Sequence, residues 1–422
     1  MDKSLSAEII GVGTELLLGN TANTDARDLS EILSELGINV YFHTVVGDNP
    51  GRLASAVEIA RSRADIIITT GGLGPTYDDL TKQVLAESFG LKLYFDEAEA
   101  EVIRGYFARR SGAAMTENNL RQAMLPEGCT VFRNLWGTAP GCAFEAMGKL
   151  VIMLPGPPRE CNAMFREYGV PYLSRLSDYQ IRSHRIHIFG MGESAVEDRL
   201  SDLMENITNP TLAPYAKEGE VMLRVTARAK SLEEADAMML PVVEKVRDTL
   251  GDVVYGIDSD SLEATALALL TERNMTIAAA ESCTGGYLAK RLTDIPGASK
   301  AFIGGVVTYS NASKIGLLGI FEALLAEKGA VSREVASEMA RAVRLKLGAD
   351  FGVGITGVAG PDSADGIEAG TVYVALAMES GVFVRSLRLQ NSARDRVRSS
   401  AASHALDMLR RHLTGLDVIA GW

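Results

Sequence analysis

Apolar residues in the first part of the chain fall in short β-branched runs separated by longer amphipathic stretches. "AEIIGVG", "INVYFHTVVG", "DIIITTGG" and "GKLVIMLPGPP" have the composition of strands; "NTDARDLSEILSELG", "PGRLASAVEIARSRA" and "DLTKQVLAESFG" have the spacing of helices. Runs that are apolar at nearly every position suit strands buried on both faces, so this rhythm predicts a parallel sheet with helices on either side. The pattern changes near residue 176. In "GEVMLRVTARA", Val221, Leu223, Val225 and Ala227 face one way, and Met222, Arg224, Thr226 and Arg228 the other. "SHRIHIFG" alternates similarly. Each of these one-faced strands has a helix-like companion, "ESAVEDRLSDLMEN" and "SLEEADAMMLPVVEKVRDTLG", which predicts a small α+β domain. Pro241 inside the second companion is expected to kink or divide it. "GDVVYGIDSDS" reads as a linker.

A second β-α rhythm follows. "EATALALLTERN", "TGGYLAKRLTD", "SREVASEMARAVRLKLG" and "ARDRVRSSAASHALDMLRRHL" are helix-like; "MTIAAAE", "AFIGGVVTYS", "ADFGVGITG" and "GTVYVALAME" are strand-like. The expected fold is α/β: two α/β/α sandwich domains with mainly parallel sheets, residues 1–175 and 259–422, joined by a small α+β domain over 176–255. The stretches "TTGGLGP" and "ITGVAGP" both place a Thr-Gly-x-x-Gly-Pro turn after a buried strand. That echo points to two separate anion-binding pockets.

Composition narrows the picture. The 422 residues are 47% hydrophobic and 23% charged, with Lys+Arg 42 against Asp+Glu 54 and a net charge of −12. That balance disfavours nucleic acid or an anionic membrane as a partner. No apolar run is long enough to span a bilayer, and the start, "MDKSLSAEIIGVGTELLLG", lacks a signal peptide's uninterrupted apolar core. Four cysteines without a CxxC pair imply reduced thiols and a cytoplasmic location.

Two stretches carry chemistry. In "TTGGLGPTYDDLTK", Gly71, Gly72 and Gly74 let backbone N–H groups approach a phosphate, and the following helix start adds positive potential. Thr76 lies in the same loop. Asp78 and Asp79 are hard oxygen ligands suited to holding a divalent cation against a diphosphate. The plainer alternative is a tight turn whose aspartates start a helix. Glu15 is a candidate second carboxylate for the pocket, and Asn23 a candidate partner for ribose or phosphate.

In "TIAAAESCTGGYL", Ser282 and Cys283 stand side by side where a strand turns into a helix, and the N–H groups of Thr284, Gly285 and Gly286 can meet a developing oxyanion. Of the five histidines only His404 and His412 lie in this half, without a motif around them, which makes a Ser-His-Asp triad a poor fit. Lys314, near Tyr309 in "VVTYSNASK", is the better base if desolvation keeps its amine neutral. Tyr309 would relay the proton to a leaving amine. A capping serine with a solvated lysine is the plain alternative, and the residues alone favour Ser282 over Cys283 only slightly.

Taken in order, "GTELLLG", "VVGDN", "TTGGLGPTYDDLT", "GTAPG", "AESCTGG", "GGVVTYSNASK", "GAVS" and "ITGVAGP" closely resemble the bacterial CinA family of competence/damage-inducible proteins. The resemblance implies a MogA/MoaB-like N-terminal domain acting as an ADP-ribose pyrophosphatase. That enzyme depends on a divalent metal (Mg, Co or Mn) on Asp78 and Asp79 and yields AMP and ribose 5-phosphate. Its substrate contacts would come from Glu15, Asn23, Gly71, Gly72, Gly74, Thr76 and Asp79. The C-terminal part resembles nicotinamide mononucleotide deamidase, which needs no cofactor and makes nicotinic acid mononucleotide and ammonia. There Ser282 is the implied nucleophile, Tyr309 and Lys314 match its catalytic partners, and Thr356 and Arg396 match substrate residues. Thr284, Gly285, Gly286 and Gly357 complete that implied site, with Arg394 and Arg398 nearby. The expected assembly is a homodimer. Where the family has "GGTPEKPVG" and "GDR", this chain has "DSADGIEAG" and "ARDR"; "PGVP" is "PGPP", and Asp25 replaces the second asparagine of "NTN". Two other readings come from different classes: a molybdopterin-type ligand-binding module, and a non-catalytic competence-associated partner protein.

Overall fold

The computed structural model describes residues 5–109, 115–175, 179–217 and 219–419. The architecture is multi-domain α/β with mixed, mainly parallel sheets. The chain divides into two compact units, Met1–Arg182 with Ala227–Ala237, and Ser183–Thr226 with Met238–Trp422.

In the first unit β1 (Ser6–Val12), β2 (Asn39–Val46) and β3 (Ile66–Thr70) are parallel neighbours. A short antiparallel ribbon of β4 (Leu93–Phe95) and β5 (Met124–Pro126) stands apart. β6 (Thr130–Phe132), β7 (Gly141–Ala146) and β8 (Lys149–Leu154) complete a six-stranded sheet in the order β2-β1-β3-β8-β7-β6. β8 runs parallel to β3, whereas β7 and β6 add antiparallel. Period two places Ile66 and Ile68 in a core with Leu29, Leu33 and Phe165, and Ile67 in the opposite core with Leu53, Val57 and Leu85. Both faces of β3 are therefore dry, which is why its sequence is apolar throughout.

The second unit contains most of a four-stranded sheet formed by β9 (Gln180–Ile188), β10 (Thr211–Lys217), β11 (Glu220–Ala229) and β12 (Val254–Ile257), in the order β10-β11-β9-β12. Val221, Leu223, Val225 and Ala227 of β11 are buried and alternate with less buried neighbours, matching the period-two reading. Two local expectations are corrected. The stretch read as a linker holds strand β12, whose Tyr255 is buried with its hydroxyl donating to Glu220 Oε2 at 2.7 Å. Pro241 does not interrupt its helix, which runs unbroken over Leu232–Leu250. Pro241 and Ala237 are both exposed, so water can serve the carbonyl that the proline leaves without an N–H.

The second unit also carries a five-stranded sheet: β13 (Ile277–Glu281), β14 (Phe302–Val307), β15 (Phe351–Gly357), β16 (Thr371–Met378) and β17 (Gly381–Arg388), in the order β14-β13-β15-β16-β17. β14 and β15 flank β13 in parallel, and β16 and β17 extend the sheet antiparallel. The helix Arg333–Leu347 lies so close to β15 that a Cβ on Gly352 or Gly354 would come within 2.1 Å or 2.2 Å of the Ala340 or Ala336 carbonyl oxygen. The glycines of "FGVGITG" are required by that approach.

One buried group in the first unit makes its stability depend on pH. Asp25, 6% exposed, has no hydrogen-bond partner for Oδ1 among the described residues. Burial drives its carboxyl from 3.8 up to about 7, the Asp28 charge adds to this, and a hydrogen bond with Cys161 opposes it. Below pH 3.8 the group is protonated in both folded and unfolded chains. Between 3.8 and about 7 the unfolded chain releases its proton first, so stability falls as pH rises and stays reduced above 7. Asp25→Asn is expected to remove that dependence and to stabilise the unit at pH 8 by on the order of 3 kcal/mol. Urea unfolding of both proteins at pH 5 and pH 8 measures this; parallel curves at the two pH values would show that Asp25 ionises freely.

Candidate functional site

Parallel sheets bind ligands beyond the carboxyl ends of their strands, and both α/β sheets here gather their chemistry there. In the C-terminal sheet β13 ends at Glu281 and the chain turns through Ser282. Gly285 (φ 60°) and Gly286 (φ 90°) adopt the left-handed backbone that lets the helix Tyr287–Thr293 begin. Ser282 is fixed to the neighbouring strand by its N–H, which donates to the Ile355 carbonyl at 2.9 Å. Lys314 begins a π-helical turn after β14 and is 1% exposed. Its Nζ donates to the Thr308 carbonyl at 2.9 Å and lies 3.1 Å from Ser282 Oγ.

Among the described residues no carboxylate pairs with Lys314. Burial pushes its amine below the ordinary lysine range, with Cys283 pulling weakly the other way. Burial pushes the Cys283 thiol up to about 12, so it remains protonated at neutral pH. The N–H groups of Thr284 and Gly286 donate to no acceptor among the described residues, which leaves the turn with donors for an anionic oxygen.

Other predicted residues take varied places around this pair. Tyr309 is 63% exposed, and its hydroxyl accepts from Arg394 Nη2 at 3.1 Å; Arg394 Nη1 donates to the Gly360 carbonyl at 2.6 Å. Thr356 is buried at the end of β15, its hydroxyl donating to the Ala330 carbonyl at 2.7 Å. Gly357 packs so closely on Thr371 that a Cβ would come within 2.6 Å of its carbonyl oxygen. Arg396 is exposed, with no side-chain partner among the described residues, whereas Arg398 donates to the Thr284 carbonyl at 2.8 Å and pairs with Asp395. Glu281 is the residue that sequence reasoning missed. It is buried, and its two carboxylate oxygens accept the N–H groups of Leu288 and Ala289 at 3.0 and 2.9 Å. A carboxylate placed just before a glycine-led helix start was the available signal.

In the N-terminal sheet a cavity of about 580 Å³ opens beyond the ends of β1, β3 and β8. Glu15, Gly71, Gly72, Gly74, Thr76, Asp78 and Asp79 all line it, as the sequence suggested, together with Asp48, Gln122 and Glu160. Gly71 (φ 94°) is obligatory, because a Cβ there would come within 2.2 Å of the Val12 carbonyl oxygen. Asn23 is not among the lining residues; its Oδ1 caps the helix Thr24–Glu35 by accepting from the Ala26 N–H at 3.2 Å. Behind the glycine loop, burial lowers the Lys82 amine to about 8, against the pull of Cys142, Cys129, Glu99 and Asp79.

The expected divalent metal (Mg, Co or Mn) is not supported. Among the described residues no group of three or more His, Cys, Asp or Glu side chains could hold a metal ion. The physical reason lies in Thr76: its N–H donates to Asp79 Oδ2 at 2.8 Å, and its hydroxyl contacts the carboxylates of both Asp78 and Asp79. The two aspartates are engaged in closing their own loop.

Three family profiles match successive parts of the chain: "Probable molybdopterin binding domain" over residues 8–175, "Damage-inducible protein CinA KH domain" over 183–256 and "CinA C-terminal domain" over 259–413. A CinA-like protein of Dictyoglomus turgidum is 49% identical over 414 residues, covering 98% of this chain and 100% of that protein. A CinA-like protein of Desulfovibrio desulfuricans is 49% identical over 99% of this chain and 98% of its own length. The crystal structure of the protein CinA from Thermoplasma acidophilum is 34% identical where it aligns, covering 40% of this chain and 98% of that one, with a TM-score of 0.37. No helix among the described residues is long and apolar enough to cross a membrane.

The Glu281 cap can be tested by itself. Glu281→Ala removes both acceptors from the helix that follows Ser282 and is expected to cost about 2 kcal/mol in urea unfolding. Glu281→Gln keeps one oxygen and should cost roughly half as much. Equal stability of all three proteins would mean that the cap does not hold the turn.

Proposed function

The chain belongs to the CinA family, and from that membership and the buried Lys314–Ser282 pair we propose that its C-terminal half is an amide hydrolase acting on nicotinamide mononucleotide. The single observation carrying the proposal is the 3.1 Å approach of Lys314 Nζ to Ser282 Oγ in a buried setting where, among the described residues, no carboxylate pairs with the amine. A neutral Lys314 accepts the Ser282 proton as Oγ attacks the carboxamide carbon. The developing oxyanion meets the free N–H groups of the turn, those of Thr284 and Gly286. Collapse breaks the C–N bond, and the proton held on Lys314 goes to the leaving nitrogen, with Tyr309 as relay on the substrate side. Ammonia leaves, water enters, and the same amine deprotonates it to hydrolyse the ester, giving the carboxylate product and free Ser282. Arg396 is assigned to the substrate phosphate, Gly285 and Gly286 to the approach of the backbone, and Thr356 with Gly357 to holding the neighbouring loop.

For the N-terminal domain the cavity favours a molybdopterin-type binding module over a pyrophosphatase. Five carboxylates line it, those of Glu15, Asp48, Asp78, Asp79 and Glu160, and among the described residues no lysine or arginine does. A bare diphosphate would be repelled by such a lining, whereas a heterocycle rich in N–H donors finds acceptors. Tight pterin binding without release of AMP from ADP-ribose is the expected behaviour; AMP release by the purified protein would overturn the module reading.

The hydrolase is tested by ammonia release from nicotinamide mononucleotide. Ser282→Ala and Lys314→Met are each expected to lower kcat/KM by about a thousandfold or more, and Cys283→Ala by less than about threefold. Because Lys314 acts as the neutral amine, activity should rise with pH through its lowered pKa and level off above it. Full activity in Ser282→Ala would end the proposal.

A further inference from the structure

The loop between β15 and β16 has no part in the reading above, although it rises from the same sheet edge as Ser282. β15, whose Ile355 carbonyl accepts the Ser282 N–H at 2.9 Å, ends at Gly357, and the chain runs out over "VAGPDSADGIEAG" before β16 begins at Thr371. Both ends of this loop are pinned. The Val358 N–H donates to the Thr371 carbonyl at 2.9 Å, and the Gly370 N–H to the Val358 carbonyl at 2.7 Å. At the tip, Ala364 and Ile367 exchange N–H···O bonds of 3.1 and 2.9 Å around Asp365 (φ 52°) and Gly366 (φ 75°). Two consecutive left-handed residues form the tight hairpin turn that Asp-Gly favours, so the tip is a built element. Arg394, which opens the helix Arg394–Leu413, ties the loop to the site. Its Nη1 donates to the Gly360 carbonyl at 2.6 Å and its Nη2 to the Tyr309 hydroxyl at 3.1 Å. Its charge also reaches the Cys283 thiol, opposing the rise that burial imposes there.

The loop's own charge is opposite to that of its surroundings. Asp362, Asp365 and Glu368 are all exposed, and the loop holds no lysine or arginine. Glu368 accepts from Gln390 Nε2, whereas Asp362 and Asp365 form no ion pair among the described residues. The helix start supplies Arg394, Arg396 and Arg398, of which only Arg398 has a carboxylate partner among the described residues. Those arginines draw an anionic phosphate and, by themselves, repel a positively charged ring. A carboxamide carbon placed at Ser282 Oγ keeps its ring beside the serine. In nicotinamide mononucleotide that ring is a pyridinium cation, and in the 1,4-dihydro form of the same molecule it is uncharged. A site mouth with an acidic hairpin on one side and arginines on the other suits a substrate divided in the same way, cationic at the ring and anionic at the phosphate. We propose that the hairpin carrying Asp362 and Asp365 is the specificity-determining element of the C-terminal site, selecting pyridinium carboxamides over the same carboxamides on an uncharged ring. The proposal rests on the hydrolase reading of this domain and names the charge state of the ring it takes.

The test uses the full-length protein and ammonia release from nicotinamide mononucleotide, with the 1,4-dihydro form scored by its Ki as a competitor. Scoring by Ki removes any difference in the reactivity of the two carboxamides. Wild type is expected to favour the pyridinium form by roughly three- to tenfold, and added salt should shrink that preference because the charges are exposed. The double variant Asp362→Asn, Asp365→Asn keeps the turn, since asparagine accepts a left-handed backbone as readily as aspartate. It should raise KM for the pyridinium substrate by about three- to tenfold, hold kcat within about twofold, and leave the Ki of the dihydro form no higher than in wild type. A retained kcat also shows that the variant is folded. If wild type binds both forms equally, or the variant changes KM and Ki by the same factor or not at all, the hairpin does not read ring charge. The inference then fails while the hydrolase reading stands. If wild type releases no ammonia from nicotinamide mononucleotide, the hydrolase reading fails, and the assignment of the hairpin with it.

Discussion

A lysine amine buried with no carboxylate paired to it among the described residues is the constraint from which the C-terminal site follows. Charged, it would have to be removed from water with no counter-ion; neutral, it needs only ordinary hydrogen bonds. The Thr308 carbonyl and Ser282 Oγ supply them. Both partners are held by the sheet. The Thr308 N–H donates to the Glu281 carbonyl at 2.8 Å, and the Ser282 N–H to that of Ile355 at 2.9 Å. The position of the amine is therefore set by the register in which Glu281 pairs with Val307 on one side and Ile355 on the other. A shift of either strand by one residue would separate the serine from the lysine before any side chain changed.

The two α/β sheets repeat this geometry with opposite charge. Each ends a central parallel strand in a Thr-Gly-x-x-Gly-Pro loop, at Thr70 and at Thr356. Around the first loop lie Glu15, Asp48, Asp78, Asp79 and Glu160. Around the second, Arg394 reaches the Gly360 carbonyl, Arg398 reaches the turn after Ser282, and Arg396 has no side-chain partner among the described residues. The echo in the sequence is one of backbone shape. Most of the charged side chains around each loop come from other segments, so two similar motifs stand in surroundings of opposite charge.

How much of this was legible depended on how far apart in sequence the decisive partners lie. β3 and β13 were readable because strands buried on both faces leave uninterrupted apolar runs. β17 was not: its Arg385 is almost fully buried and donates to the Val418 carbonyl and to Asp407, so a charged residue occupies a position where the alternation demands an apolar one. β12 was taken for a linker because its anchor, the bond from Tyr255 to Glu220, spans 35 residues. The Ser282–Lys314 pairing was within reach, since Ser282 directly follows β13 and Lys314 lies in the turn shortly after its parallel neighbour β14. The metal reading failed at a finer level. Spacing shows that Asp78 and Asp79 share a loop with Thr76, but it does not show that Thr76 engages both carboxylates.

Under the proposed hydrolase reading, the choice between Ser282 and Cys283 follows from the same burial that sets the lysine. A thiol beside a neutral amine tends to transfer its proton in the resting state, leaving a thiolate and an ammonium to be stabilised inside the protein. Serine does not ionise at rest, so Ser282 and Lys314 can lie together uncharged until a carbonyl carbon arrives. Charge then appears only in the transition state, where the free N–H groups of the turn are placed to receive it. Cys283, one residue on, packs among Leu288, Ile355 and Val397 and keeps its proton. Exchanging the two side chains would conserve composition and nearly conserve volume, yet it would bury an ion pair in the resting enzyme and leave a hydroxyl in the core without a partner. On that reading electrostatics accounts for the order Ser-Cys, and the sheet edge that buries the amine also selects Ser282 over its neighbour.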